Sequence, residues 1–214
     1  HYPLRRQRQM CIRDRPMKWI GLTGGIASGK TTVSNMLREL AVPIIDADQM
    51  AHLSLKVNHD KIVSYFGSDI LDDKGIIDRR KLGEKVFSNE KQRKILEGIT
   101  HPYIQNKVAE KKRLLAATGK KWAVYDVPLL FENKLESQFD RIVVVYAPQE
   151  ICLERLIERN GLSPEDAQKR IDSQVSIEEK KKKEGVDILS NEGDVDALRD
   201  QVVAWKKSID EEYS

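Results

Sequence analysis

Cysteine is nearly absent: the chain has two, Cys11 and Cys152, too few for a disulfide framework and in keeping with a reducing compartment, the cytoplasm. Long apolar runs are missing too. None approaches the roughly 20 residues that span a bilayer, so no membrane role is expected. There is no internal repeat and no low-complexity tract. Net charge is also scarce once the first sixteen residues are set aside. They carry five arginines (5, 6, 8, 13 and 15) against Asp14, a net +4, so the +3 of the whole chain becomes −1 over residues 17–214. A basic arm for nucleic acid or membrane and a transit peptide are the functional readings of this stretch. It shows no periodicity and no cleavage site, and is read instead as an extension of expression-vector or gene-start origin, with Met17 opening the fold. Neither nucleic acid, membrane nor an obligate protein partner is expected.

What is present is the composition of a soluble globular protein: 214 residues, 40% hydrophobic and 33% charged, enough for one α/β domain with an insertion. Its centre is Gly24-Gly25-Ile26-Ala27-Ser28-Gly29-Lys30-Thr31-Thr32. Gly24 to Thr31 reads G-x-x-x-x-G-K-T, the phosphate-binding loop signature. An apolar run, Trp19 to Leu22, enters it, and a helical pattern (Val33, Met36, Leu37, Leu40) leaves it. Glycines let the main chain approach an anion, and N–H groups at the helix start point at phosphates with the helix dipole behind them. Lys30 supplies a charge at the β/γ-phosphates and the Thr31 hydroxyl a ligand for Mg²⁺.

Along the chain, Val42-Pro43-Ile44-Ile45 reads as a strand with Asp46 and Asp48 at its carboxyl end, where open α/β sheets bind ligands. One acid is expected to work in the site; the other has the simpler role of capping the next helix. His52 carries less weight. Residues 53–118 predict helices at 61–66, 80–87, 90–99 and 104–117, with Pro102 suited to a helix start, and are too long for a simple crossover. They read as a substrate-binding insertion. The run Trp122 to Asp126 resembles the second phosphate-site signature, whose acid helps to hold Mg²⁺. Asn133-Lys134-Leu135-Glu136 is a poor likeness of the guanine-reading motif and is discounted. Arg141 to Tyr146 is the clearest buried strand. A hairpin of two helices follows, 149–159 and from Ser163 on, with Arg155 and Arg159 four residues apart on one face, and Arg170 and Gln174 likewise on the second helix. It is expected to form a lid over about 149–178. Lys180 to Lys183 reads as a solvent-facing charge run, then Asp187 to Ser190 as a last strand and Val195 to about Ile209 as a last helix. Strands alternating with helices argue for a mainly parallel sheet covered on both faces.

The set G-L-T-G-G-I-A-S-G-K-T-T-V (21–33), D-A-D-Q-M-A-H (46–52), H-P (101–102), D-V-P-L-L-F-E (126–132), R-I-D-S-Q (170–174) and N-E-G (191–193) resembles the dephospho-coenzyme A kinase family across residues 17–214. The resemblance implies an α/β fold, the P-loop three-layer sandwich with a five-stranded parallel sheet, a helical coenzyme A-binding insertion and a helical lid. It implies ATP and dephospho-coenzyme A as substrates and Mg²⁺ as cofactor. It makes Asp48 the base near the ribose 3′-hydroxyl, Lys30, Arg155 and Arg159 the phosphate-facing cations, and His101 and Arg79 neighbours of the acceptor. Asn191 would lie by the adenine, and Thr31 and Asp126 by Mg²⁺. Glu184-Gly185-Val186 departs from the family's usual Ala-Asp. The rival expectations are another small-molecule kinase of the same fold, and a nucleotide switch with no acceptor.

Overall fold

The computed structural model describes residues 17–87 and 89–214; the arginine-rich stretch 1–16, with Cys11, lies outside the described residues. The chain divides into two compact units, one running to Ile45 and resuming at Leu115–Ser214, the other Asp46–Leu114.

The first unit is built on five strands: β1 (Lys18–Gly24), β2 (Ile44–Asp46), β3 (Trp122–Asp126), β4 (Arg141–Tyr146) and β5 (Val186–Ser190). Their order is β2-β3-β1-β4-β5. β1 pairs in parallel with both β3 and β4, so that Leu22 lies opposite Asp126 on one side and Val143 on the other. β4 pairs in parallel with β5. From β1 the chain runs to one side of the sheet, and from β3 it crosses to the other. The carboxyl end of β1 is therefore a topological switch point, where such sheets bind ligands. β1 and β4 are buried at all but their first residues, because a parallel sheet with helices on both faces has no wet side.

Helix α1 (Lys30–Glu39) leaves the loop after β1 and buries Val33, Met36 and Leu37 at the period its sequence predicts. The last helix, Val195–Glu212, shares that core through Leu198, Val202 and Trp205. It runs one turn beyond the expected end. At the amino ends of the strands Arg141 forks onto Asp187, Nε at 2.5 Å and Nη2 at 2.8 Å, and Trp205 Nε1 donates to the same carboxylate at 2.7 Å. The Asp187 carboxylate raises the Arg141 pKa and keeps the guanidinium charged.

The second unit holds α2 (Ala47–Val57), α3 (His59–Phe66), α4 (Arg79–Phe87) and all but the last three residues of α5 (Glu90–Ala117), with an antiparallel bridge between Leu71 and Ile77. Ile62, Phe66, Ile70, Ile77, Leu82 and Ile99 form its core. The expected break at His101-Pro102 is corrected: α5 is one helix with Pro102 inside it. Pro102 has no N–H for the Gly98 carbonyl, a local cost. The adjoining turn is anchored instead, since Ile99 and Thr100 are buried and the Thr100 carbonyl accepts from Ser54 Oγ at 3.1 Å. Tertiary packing overrides the boundary signal.

The first unit also holds α6 (Gln149–Asn160), α7 (Pro164–Asp172) and α8 (Ile177–Lys181), followed after β5 by α9 (Val195–Glu212). α6 stops at Gly161, φ 62°, and α7 starts on a Ser163 cap that accepts from Asp166 N, with Pro164 in its first turn.

Candidate active site

The site begins where β1 runs out. A Cβ on Gly24 would stand 2.6 Å from Ser28 Oγ and 2.9 Å from the Val145 carbonyl, so only glycine lets the loop fold back against β4. Gly29 has φ 94°, and a Cβ there would meet Asn191 Nδ2 at 2.0 Å. Ala27 takes a left-handed φ of 59° without being glycine, strain of the kind concentrated at functional loops. Gly29 caps α1 with no side-chain hydrogen bond, and no acid occupies the helix's first turn. Thr32 N already donates to the Gly29 carbonyl at 2.9 Å, while the N–H groups of Lys30 and Thr31 precede any acceptor of the helix. The result is a cradle of donors that suits an anion.

Two of the expected residues meet at once. Lys30 forms an ion pair with Asp126, the last residue of β3, whose carboxylate is 5% exposed. Ser34 Oγ donates to the other Asp126 oxygen at 2.6 Å. Ser34 escaped the sequence reading although it sits four residues after Lys30, hence on the same helix face. Thr31 is exposed in the first turn of α1 and Thr32 half-buried.

Asn191, just past β5, is buried and braces the loop: Nδ2 donates to the Ser28 carbonyl at 2.8 Å, and its own N–H donates to the Tyr146 carbonyl at 2.7 Å. Its carbonyl accepts from Arg155 Nη2 at 3.2 Å. Arg155 and Arg159 differ in surroundings. Arg155 is half-buried and its Nη1 has no hydrogen-bond partner among the described residues, whereas Arg159 is exposed and donates to Asn160 Oδ1 at 3.0 Å.

The reading of Lys180 as part of a solvent-facing run is corrected. Its side chain is 0% exposed, 2.8 Å from Glu132 Oε1 and 3.3 Å from the Gly24 carbonyl. On α8, Ile177 and Lys180 are three apart and turn inward together, while Lys181 and Lys182 stay outside. Gln174 Oε1 accepts from the loop N–H of Ile26 at 3.0 Å. A cavity of about 300 Å³ adjoins this contact, lined by Gly25, Ile26, Cys152, Gln174 and Ile177 among others. Burial pushes the Cys152 thiol pKa up, so the thiol stays protonated and inert. The Tyr146 hydroxyl donates to Glu178 Oε1 at 2.7 Å, a bond that pushes its pKa up to about 12.

In the helical unit, Asp46 is the cap: its Oδ1 accepts from Gln49 N at 3.0 Å. Asp48 is exposed in the first turn of α2. His52, Arg79 and His101 are also exposed. His52 and Arg79 share the lining of a cavity of about 240 Å³ with Leu55, Lys56, His59 and Ile77; His101 is not part of that lining.

A glycine-lined donor cradle, a lysine and a strand-end aspartate at the switch point of a five-stranded parallel sheet define a P-loop nucleotide-binding protein. Comparison with known proteins narrows the class. The sequence profile of the dephospho-CoA kinase family matches residues 18–197. A dephospho-CoA kinase of Geobacillus kaustophilus is 46% identical over 194 residues, covering 89% of this chain and 96% of that protein. Among solved structures, a dephospho-CoA kinase from Campylobacter jejuni is 34% identical with a TM-score of 0.62, covering 91% of this chain and 98% of that one. A Thermus thermophilus protein is 30% identical with a TM-score of 0.79 over 91% and 98% of the two chains. This chain belongs to the dephospho-CoA kinase family.

Proposed function

We propose that the chain transfers the γ-phosphoryl group of ATP to the ribose 3′-hydroxyl of dephospho-coenzyme A, giving coenzyme A and ADP. The observation that carries this reading is the family match over residues 18–197, which takes in both the loop and the helical unit. The loop geometry supports it independently of the match.

In this reading the amides of Gly24 to Thr32 receive the ATP phosphates. Lys30 exchanges its Asp126 partner for the β/γ-phosphates, where charge shifts during transfer. Thr31 and Asp126, one hydroxyl and one carboxylate beside the cradle, are hard oxygen donors of the kind that would hold Mg²⁺. Bound there, Mg²⁺ supplies neutralisation of phosphate charge. Arg155 and Arg159 serve the lid, about 149–178. Asn191 serves the nucleotide-base side while bracing Ser28. Asp48 accepts the hydroxyl proton late in the transfer, with Arg79 and His101 as acceptor contacts in the helical unit. Transfer is mostly positioning and charge stabilisation, so loop, lysine and arginines supply most of the rate. Among the described residues no helix is long and apolar enough to cross a membrane. We place the activity in the cytoplasm, without an obligate protein partner, nucleic acid or membrane.

The test is ADP release measured across a panel of acceptors. Dephospho-coenzyme A is expected to raise it well above the acceptor-free rate. A larger response to a sugar or nucleoside, with none to dephospho-coenzyme A, would overturn the substrate assignment. ADP release indifferent to every acceptor would favour a nucleotide switch.

A further inference from the structure

The pair of buried Lys180 and half-buried Glu132 is not accounted for by the roles above. Lys180 lies on a five-residue helix, and its ammonium is withdrawn wholly from water. Taking a lysine and a glutamate out of solvent is costly, and apolar side chains of similar size would fill the same space at less cost. The pair therefore calls for a reason beyond packing, and its connections supply one. Lys180 Nζ donates to the Gly24 carbonyl at 3.3 Å, at the first glycine of the phosphate loop. Glu132 Oε1, besides meeting Lys180, accepts from Val175 N at 3.1 Å, in the turn between α7 and α8. Next in that turn, Gln174 holds the Ile26 N–H. The exit of the α6–α7 hairpin is thus fastened to the loop twice, at Gly24 through Lys180 and at Ile26 through Gln174.

The two fastenings differ in kind. Gln174 occupies an N–H of the loop whose donors serve anions, so a phosphate reaching Ile26 displaces a neutral amide oxygen. Lys180 holds a carbonyl, which no phosphate competes for. One contact is exchangeable and the other permanent.

We propose that Lys180 and Glu132 are positioning residues for phosphoryl transfer: they fix Gly24 and the Val175 turn as a hinge while Gln174 yields Ile26 to the nucleotide. The pair touches no substrate. It acts through the loop, and misplacing reacting groups by about 1 Å is enough to cost on the order of 10²-fold in rate. This inference rests on the kinase reading for its rate measurement; the product formed by the unaltered chain reports on that reading separately.

The experiment compares Glu132→Gln with the double variant Lys180→Met/Glu132→Gln. The double variant removes both charges together and leaves no uncompensated ion in the interior, so it is the form expected to fold. Glu132→Gln keeps an acceptor for Val175 N and the lysine for Gly24. The expected order of kcat is wild type, then Glu132→Gln, then the double variant, the last lower by roughly tenfold or more. KM for ATP should move less than kcat, and the melting temperature of the double variant should remain near that of the wild type. A double variant with wild-type kcat would show that the pair serves folding alone. So would Glu132→Gln and the double variant losing rate only in proportion to lost folded protein, measured by circular dichroism on the same samples. In each variant kcat is referred to the folded fraction: a fall per folded molecule supports the proposal, and an unchanged value overturns it.

Discussion

At the amino ends of the strands, Arg141 is gripped by Asp187 and Glu212, and the two indoles of Trp122 and Trp205 donate to Asp210 and Asp187. At the carboxyl ends the same kinds of side chain are left incomplete. Ser28 Oγ, Glu132 Oε2 and Arg155 Nη1 are the buried side-chain polar atoms without a hydrogen-bond partner among the described residues, and all three lie in or beside the loop system. A buried polar atom left unpaired costs about 1–3 kcal/mol, so proteins rarely keep one without a use. The amino ends are finished for stability. The carboxyl ends keep a hydroxyl, a carboxylate oxygen and a guanidinium nitrogen unpaired beside the loop.

The largest expected effect breaks or confirms that contrast at its centre. Lys30→Ala should cut kcat by on the order of 10²-fold or more, because the contact strengthens as charge moves in transfer. Near-normal turnover in steady-state assays would remove the loop from the chemistry.

Asp48→Asn asks whether the chemistry is confined to the strand ends. Asp48 belongs to the helical unit and should still matter: transfer falls by on the order of 10²-fold while calorimetric ATP affinity is kept. If Asp46→Asn is the damaging change instead, the roles of the two acids are exchanged.

Two arginines sharpen the comparison further. Arg141→Ala should lower stability by about 3 kcal/mol, since it leaves Asp187 without its main partner, and leave kcat per folded molecule intact. Arg155→Ala and Arg159→Ala should do the reverse, lowering kcat by roughly tenfold with a smaller loss of ATP affinity. Lysine at 155 or 159 should restore only part of the rate, because an ammonium lacks the planar fork. Denaturant unfolding beside kinetics separates the outcomes, and matching profiles for Arg141 and Arg155 would erase the difference between the two ends of the sheet.

The smallest effect lies on the surface of the helical unit. His59 bonds the Asp60 carboxylate through Nδ1 and the Gly75 carbonyl through Nε2, at 2.9 Å each, and its pKa is raised from 6.5, chiefly by Asp60. A raised histidine pKa gives stability that is fully present below the unfolded value and lost as pH climbs through the folded one. Melting temperature should therefore drop slightly between about pH 6 and pH 8, and less so in His59→Gln. Identical profiles would remove that contribution.

What the sequence makes legible follows from range. The loop is read from eight consecutive residues, and β4 from an unbroken β-branched run whose observed bounds, Arg141–Tyr146, match those expected. The start of the hairpin's second helix at Ser163 is equally local. Lys180 is illegible because its partners stand 48 and 156 residues away, and nothing in a Lys-Lys-Lys-Lys run marks the one that turns inward. Ser34 is missed for the same reason, being 92 residues from Asp126. Pro102 shows the opposite failure, a strong local signal overruled by what Ile99 and Thr100 pack against.

The most direct test of the account follows the phosphoryl group itself. Wild-type protein is mixed with ATP carrying a labelled γ-phosphate and with dephospho-coenzyme A, and the products are separated and weighed by mass spectrometry. The account predicts the label in a product heavier than the acceptor by one phosphoryl group, attached at the ribose 3′-oxygen, and its loss in Lys30→Ala. Label found only in inorganic phosphate, at a rate indifferent to the acceptor, would contradict it.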